Sequence, residues 1–353
     1  MRFSSRIRCA GLARIIGVLL LAAALGACSA VKLAYNNLPE LSYWWLDGYF
    51  DFDGAQTPKV RDELAQLLAW HRQNELPRII GLLQEAQGLA SAEVTPAQAC
   101  QLADRVRERL LAVTERAEAA SAELALSLSD AQLQQLERKY AKNNTDYRKD
   151  WLDRSPAQVQ EKRYDQFLER QEDFYGRLTA EQRALLRQQV AQSVFSPKLA
   201  YEERRQRQQE ALVLLRGFQG SNGGPRASPA GARAALHAYI QRIADPPPGP
   251  WREQQQALLQ EGCRNLAALH NTTSATQREQ AVRRVQAYQG DLRQLVGARW
   301  GGAFWSSASA ARGRARSRSA SGTSGPAYPR PSWRRCSSPS TAWKPRATAI
   351  PGG

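Results

Sequence analysis

Between residues 53 and 296 apolar side chains recur at spacings of three and four, the period of one buried helix face. Val60, Leu64, Leu67, Leu68 and Trp70 form one stripe, and Leu102, Val106, Leu110 and Val113 form a second that runs into the alanine-rich stretch 115–125. Leu133, Leu136 and Tyr140 form a third, and Leu185, Leu186 and Val190 a fourth. Helix starts are marked by a short polar residue followed three positions later by Gln: Asp53/Gln56, Thr95/Gln98, Ser129/Gln132, Ser155/Gln158, Thr179/Gln182 and Ser274/Gln277. This is capping-box spacing, in which the short side chain accepts from a free backbone N–H and the Gln reaches back to the cap's own N–H. Pro96 and Pro156 follow two of these caps at the first helical position, where a missing N–H costs nothing. Pro77 should end or kink the first long helix near Leu76. No alternating run is long enough to argue for a strand. The pattern predicts an all-α protein, a multi-helix bundle of long antiparallel helices.

Two breaks divide it. Residues 217–231 are rich in Gly, Ser, Pro and Asn and read as a loop, and Asp245-Pro246-Pro247-Pro248-Gly249-Pro250 is a stiffer interruption. Helices are expected at about 232–243, 251–269 and 274–296, which gives a main helical domain over 53–216 and a C-terminal helical part over 232–298.

Upstream the pattern is different. Residues 1–14 carry Arg2, Arg6, Arg8 and Arg14 without an acid, and Ile15–Leu25 is an apolar run of eleven residues. That suits a signal-peptide core and is too short for a membrane span, which needs roughly 20 apolar residues. Leu25, Gly26, Ala27 and Cys28 then resemble the lipobox of bacterial lipoprotein signals. The resemblance implies cleavage after residue 27, a diacylglyceryl thioether and an N-acyl group on Cys28, and a membrane partner held through that anchor. Ser29 in the next position implies the inner leaflet of the outer membrane, with the body facing the periplasm. Residues 28–52 are a lipidated tether followed by an aromatic segment, Tyr35, Tyr43, Trp44, Trp45, Tyr49 and Phe50. These rings either cap the core of the first helices or settle at the membrane interface.

Downstream, residues 301–353 contain no Leu, Val, Asp, Glu, Asn or Gln. Residues 299–353 read as a disordered basic tail or as a GC-rich gene translated out of frame, a reading favoured by four tryptophans in a stretch with no fold to support. The ends also account for the net charge of +16: without the four cations of residues 1–27 and the ten of residues 299–353, residues 28–298 carry only +2. A near-neutral body lacks the electrostatic footprint of a nucleic-acid binder. Of five cysteines, Cys100 and Cys263 remain once the signal, lipobox and tail are set aside. In an oxidising compartment they could form one disulfide, if their helices meet.

Candidate chemistry is sparse. His71, His237 and His270 stand in no metal-ligand spacing, so no metal and no cofactor is expected. There is no phosphate loop, nucleophile elbow or Cys–His pair, and no catalytic residue can be nominated. The most distinctive stretch is 138–177, where Tyr147, Trp151, Tyr164, Phe167 and Phe174 alternate with basic residues that include Arg148 and Arg163. Rings beside long cationic stems could make a surface for a peptide or a lipid headgroup; the plainer reading puts the rings in the core and the charges in water.

Leu128-Ser129-Asp130-Ala131-Gln132 and Leu178-Thr179-Ala180-Glu181-Gln182 resemble the paired LTxxQ motif of Spy-type periplasmic chaperones and stress sensors, with a looser copy at Val94–Gln98. That resemblance implies an all-helical fold that shields unfolded clients or inhibits an envelope sensor kinase. Tyr35-Asn36-Asn37 and Trp45-Leu46-Asp47-Gly48-Tyr49-Phe50-Asp51 resemble segments of an uncharacterised family of proteobacterial lipoproteins, over roughly residues 25–298. Together these readings predict a membrane-tethered periplasmic binding module without catalysis, chaperone-like or related to envelope stress, whose partner is a protein or an unfolded polypeptide and not a nucleic acid. The alternative is a structural or assembly accessory of the envelope with one specific protein partner.

Overall fold

The computed structural model describes residues 31–220 and 226–297. Leu25, Gly26, Ala27, Cys28 and the tail 299–353 lie outside the described residues. Among those described there is no strand. A helical turn over 31–36 leads into α1 (Leu38–Phe50), α2 (Gln56–Asn74), α3 (Leu76–Ala90) and the long α4 (Pro96–Ser127). Next come α5 (Asp130–Tyr147), a π-helical turn (Arg148–Leu152), α6 (Pro156–Tyr175), α7 (Ala180–Ala191) and α8 (Pro197–Phe218). The chain ends its described part with α9 (Pro229–Ala244), α10 (Pro250–Asn271) and α11 (Ala275–Gly297). The protein is an all-α multi-helix bundle, as its hydrophobic period predicts.

The starts follow local chemistry. Thr95, Ser129, Ser155 and Thr179 each form a reciprocal capping box. Asp53 and Ser274 make the same exchange with Gln56 and Gln277 at 2.8–3.2 Å. Two further starts, Ser196 before Pro197 and Ser228 before Pro229, lack the Gln; there the Ser hydroxyl accepts alone, from the backbone N–H of Leu199 and of Gly231. α2 stops at Asn74 and α3 begins at Leu76, one residue before Pro77. At the end of α6 Gly176 adopts φ 73°, a conformation that favours glycine.

Four of the six glutamines do more than cap. Gln56 and Gln132 bond each other through both amide atoms (2.6 and 3.2 Å), and each also donates to the carbonyl two residues ahead of the other's cap, Ser127 (2.9 Å) and Asp51 (3.2 Å). Gln182 and Gln277 repeat the arrangement: 2.9 Å in both directions, with Thr272 (3.0 Å) and Arg177 (3.3 Å) as the carbonyls. Each clasp joins two helix N-termini whose like dipole ends repel, and fills the hydrogen-bonding capacity of both amides. Gln98 and Gln158 cap their own helices and are exposed.

The described interior is a set of clusters. Tyr43, Phe52 and Val60 gather under α1; Ala122, Ala125, Phe218 and Ala232 join α4, α8 and α9; Val94, Ala99 and Cys263 join α4 and α10. Tyr164, Tyr175, Leu186 and Leu269 centre a fourth between α6, α7 and α10. The stripe expected early in α4 is corrected: Val106 and Leu110 are exposed, while Ala99, Ala122 and Ala125 are buried. A period shows which residues share a face but not which face finds neighbours; α4's neighbours close on its small side chains, where helix axes can approach closely.

α10 is fastened to the start of α4. Cys100 and Cys263 form a disulfide with Cα atoms 5.3 Å apart. The Asn271 amide accepts from the Val94 N–H at 2.9 Å and donates to its carbonyl at 3.0 Å, and His270 Nε2 meets the Ala92 carbonyl at 2.7 Å.

The segments Tyr35–Asn37 and Trp45–Asp51 have defined jobs in the fold. The Tyr35 hydroxyl meets His71 Nδ1 at 2.9 Å and Asn36 accepts from Arg72 at 2.7 Å, which docks the chain before α1 on the end of α2. Asp47 accepts from the backbone N–H of Phe52 (3.0 Å), and Asp51 takes the left-handed conformation that closes α1. Tyr49 accepts from Asn143 at 2.9 Å, linking α1 to α5.

Candidate functional site

The seven aromatic and basic residues singled out in 138–177 divide between four places. Tyr147 ends α5, and its ring stacks on Tyr201 of α8 at 5.6 Å while its hydroxyl donates to the Pro197 carbonyl at 3.1 Å. The π-turn that follows adds one residue to the turn, closing with Asp153 N–H on the Arg148 carbonyl (2.8 Å). Trp151 in that turn stands edge-on to Phe195 at 5.7 Å, under the Lys162 ammonium at 4.6 Å. Arg163 lies over Phe195 at 4.7 Å and Phe167 at 5.8 Å and donates to Ser193 at 2.8 Å. Burial pulls the Arg163 guanidinium below its ordinary range, partly offset by Glu261. Tyr147, Trp151, Arg163 and Phe167 are therefore brought together, but as a half-buried joint.

The others stand apart. Tyr164 is buried in the cluster between α6 and α7, with the Arg187 guanidinium 3.8 Å from its ring centre. Arg148 points to solvent and pairs with Asp153 at 3.5 Å. Phe174 is exposed near the other end of α6, 6.3 Å from Tyr288 of α11. Phe195, Tyr201 and Arg204 belong to the joint and were missed by the sequence reading, which stopped at Arg177. The Ser196-Pro197 start, with Tyr201 and Arg204 one and two turns on, was the signal available.

A second feature was not foreseen. Between α2 and α4, beside α1, lies a groove of about 480 Å³. Its floor is Val60, Leu64 and Leu67 from α2, Ala117, Ala120 and Leu124 from α4, and Leu46 from α1. The groove exists because α4 presents alanine where α2 presents leucine and valine, so the helices touch along a stripe without filling the space above it. Its rim carries the carboxylates of Asp53, Asp62, Glu63 and Glu123 and the cations Lys59 and Arg116. Asp53 is engaged as a cap at 2.7–2.8 Å. The other five make no ion pair among the described residues. Such a site is apolar below and net acidic around, and its charges are free to meet a ligand.

The histidines are held by hydrogen bonds. A carbonyl only accepts, so the Ala92 contact puts the proton on His270 Nε2, and Tyr175 donates to Nδ1 at 2.9 Å. Burial lowers the His270 pKa and pushes the Tyr175 phenol up to about 12, so both stay neutral near pH 7. Burial likewise lowers His71 against the opposing effect of Glu75. His237 Nδ1 meets Glu118 at 2.6 Å. No group of three or more His, Cys, Asp or Glu suited to a metal ion occurs among the described residues.

The family of unknown function DUF6279 matches residues 48–224, from the end of α1 past α8, and so includes the joint, the first glutamine clasp and the groove apart from Leu46. No curated protein and no solved structure matches the chain. With about half of its length matched, the chain belongs to DUF6279, a family of unknown function.

Proposed function

We propose that the protein is a lipid-anchored periplasmic binding module that captures an amphipathic, basic polypeptide segment in the groove between α2 and α4, in a chaperone-like or envelope-stress role and without catalysis. The observation that carries the reading is the groove itself, an apolar floor bordered by four carboxylates and two cations. Apolar area would supply the affinity and the acidic excess the choice of partner. Anchoring at Cys28 is supported by the order of charge, apolar core, small residues and cysteine in residues 1–28. An oxidising compartment is supported by the Cys100–Cys263 bond. The aromatic joint around Trp151 gives way to the groove as the favoured surface because its rings are already partnered.

The full chain is tested for suppression of aggregation of two unrelated unfolding clients. Suppression at near-stoichiometric amounts, reduced at least several-fold by Ala120→Phe, which fills the groove, and by the double reversal Glu63→Lys/Glu123→Lys, is the expected result. Suppression unaffected by either variant removes the groove from the reading. No suppression of either client leaves the accessory role, which the fixed charge pattern of the rim also favours. That role requires one partner, cross-linked in the envelope through position 120 and retained on washing.

A further inference from the structure

α1 has two apolar faces. Its inner face, with Tyr43, Leu46 and Phe50, packs against Phe52, Val60 and Leu64. Its outer face, continued by the helical turn before it, presents Leu33, Leu38, Leu41, Trp44 and Trp45, with Leu33 65 %, Trp44 59 % and Trp45 62 % exposed. The other exposed positions between 33 and 48 are Ala, Asn and Gly. Charge is not absent from this stretch, since the Glu40 side chain is 39 % exposed, but it is held in an ion pair. Glu40 pairs with Arg61 at 3.2 Å, Asp47 accepts from the Phe52 N–H, and Lys32 donates to Gln294. Surface helices normally carry charge on their outer face, and one apolar all round is normally covered.

We propose that this outer face is seated in the interfacial region of a lipid bilayer. Tryptophan settles at the headgroup level, and an apolar strip whose neighbouring charge, Glu40, is already ion-paired loses little ion hydration on entering it. Chain length points to the same occupant. Cys28 lies three residues before the helical turn that begins at Val31, a reach of at most roughly 11 Å at about 3.5 Å per residue. The inference thus rests on the lipid-anchor reading for proximity, while the face itself is a property of the fold. Two attachments, acyl chains and a helix, fix orientation as well as distance. Leu46 of the same helix lines the groove, so seating α1 would hold the groove beside the membrane.

The full chain is purified from membranes, the species at its N-terminus is identified by mass, and the protein is placed in phosphatidylethanolamine/phosphatidylglycerol vesicles with brominated acyl chains. The native protein should show bromine quenching of tryptophan fluorescence. Trp44→Gln/Trp45→Gln, at exposed positions, should lose it while retaining the helical circular dichroism. Equal quenching in both, or none in either, with Cys28 acylated, overturns the docking and leaves the anchor standing. If Cys28 carries no lipid the anchor reading falls, and vesicle binding from solution decides the face: binding lost in the variant supports it, and binding equal or absent overturns it. Self-association without vesicles that the variant abolishes, with no quenching in the native chain, assigns the face to a second copy and also overturns the proposal.

Discussion

A single glutamine in this fold holds two backbones at once. In the Gln56–Gln132 clasp each carbonyl oxygen accepts from its own cap and from the partner amide, and each NH2 donates to the partner and to a carbonyl at the end of the preceding helix. Removing one amide strands buried groups on the other, at about 1–3 kcal/mol. Gln132→Leu and Gln56→Leu should each lower stability by that order. The double variant should cost clearly less than the sum, and a double-mutant cycle by urea unfolding checks this. His270 gives a pH prediction. Its folded pKa lies below 6.5, first through burial and further through Arg278, against the Ala92 carbonyl bond. As pH falls below about 6.5 the unfolded chain takes up the proton before the folded one. Its contribution is therefore complete above that pH and lost as pH falls toward the folded value. The melting temperature of the native protein should drop between pH 7 and pH 5, and less steeply in His270→Gln. The clasp residues are legible in the sequence as caps, whereas their pairing is not, because a capping box is a four-residue pattern and its partner lies 76 or 95 residues away.

At the scale of elements, helix ends were the best-read feature. Three helices expected at 232–243, 251–269 and 274–296 lie at Pro229–Ala244, Pro250–Asn271 and Ala275–Gly297. Caps and proline act within one turn, so the chain declares them locally. The exposed Val106 and Leu110 show the converse, since a stripe is a property of one helix and burial a property of two. The union of α4 with α10 belongs to this scale as well. Cys100 and Cys263 close a loop across a sequence separation of 163. Cys100→Ala/Cys263→Ala should lower stability by about 2–5 kcal/mol, read from the urea midpoint, and reductant should move the native protein in the same direction while leaving the variant unchanged.

For the whole molecule, the consequence is an arrangement in which one helix serves two surfaces. α1 contributes Leu46 to the groove and turns Trp44 and Trp45 outward, so a segment captured in the groove would be held close to whatever covers the outer face. The six rings of the aromatic segment divide accordingly. Tyr43 is buried, Tyr35, Tyr49 and Phe50 are half-buried, and Trp44 and Trp45 are exposed. Rings of one stretch are thus both buried and exposed, because a helix sends neighbours 100° apart. The expected binding surface at 138–177 split for the same reason: Tyr164 went inward and Arg148 outward, while Trp151 met Tyr147, Arg163 and Phe167 in a joint completed by Phe195 of a later segment. By itself the sequence determined the all-α class and most of the helix starts, though not that of α8 at Ser196-Pro197, since caps, prolines and period are short-range signals; the uncharacterised family was legible as a resemblance of short segments. Which faces are covered, which glutamines clasp, that two cysteines meet and that a groove opens where alanines face leucines were decided by the tertiary structure alone. Each depends on residues far apart in the chain being brought within a few ångströms.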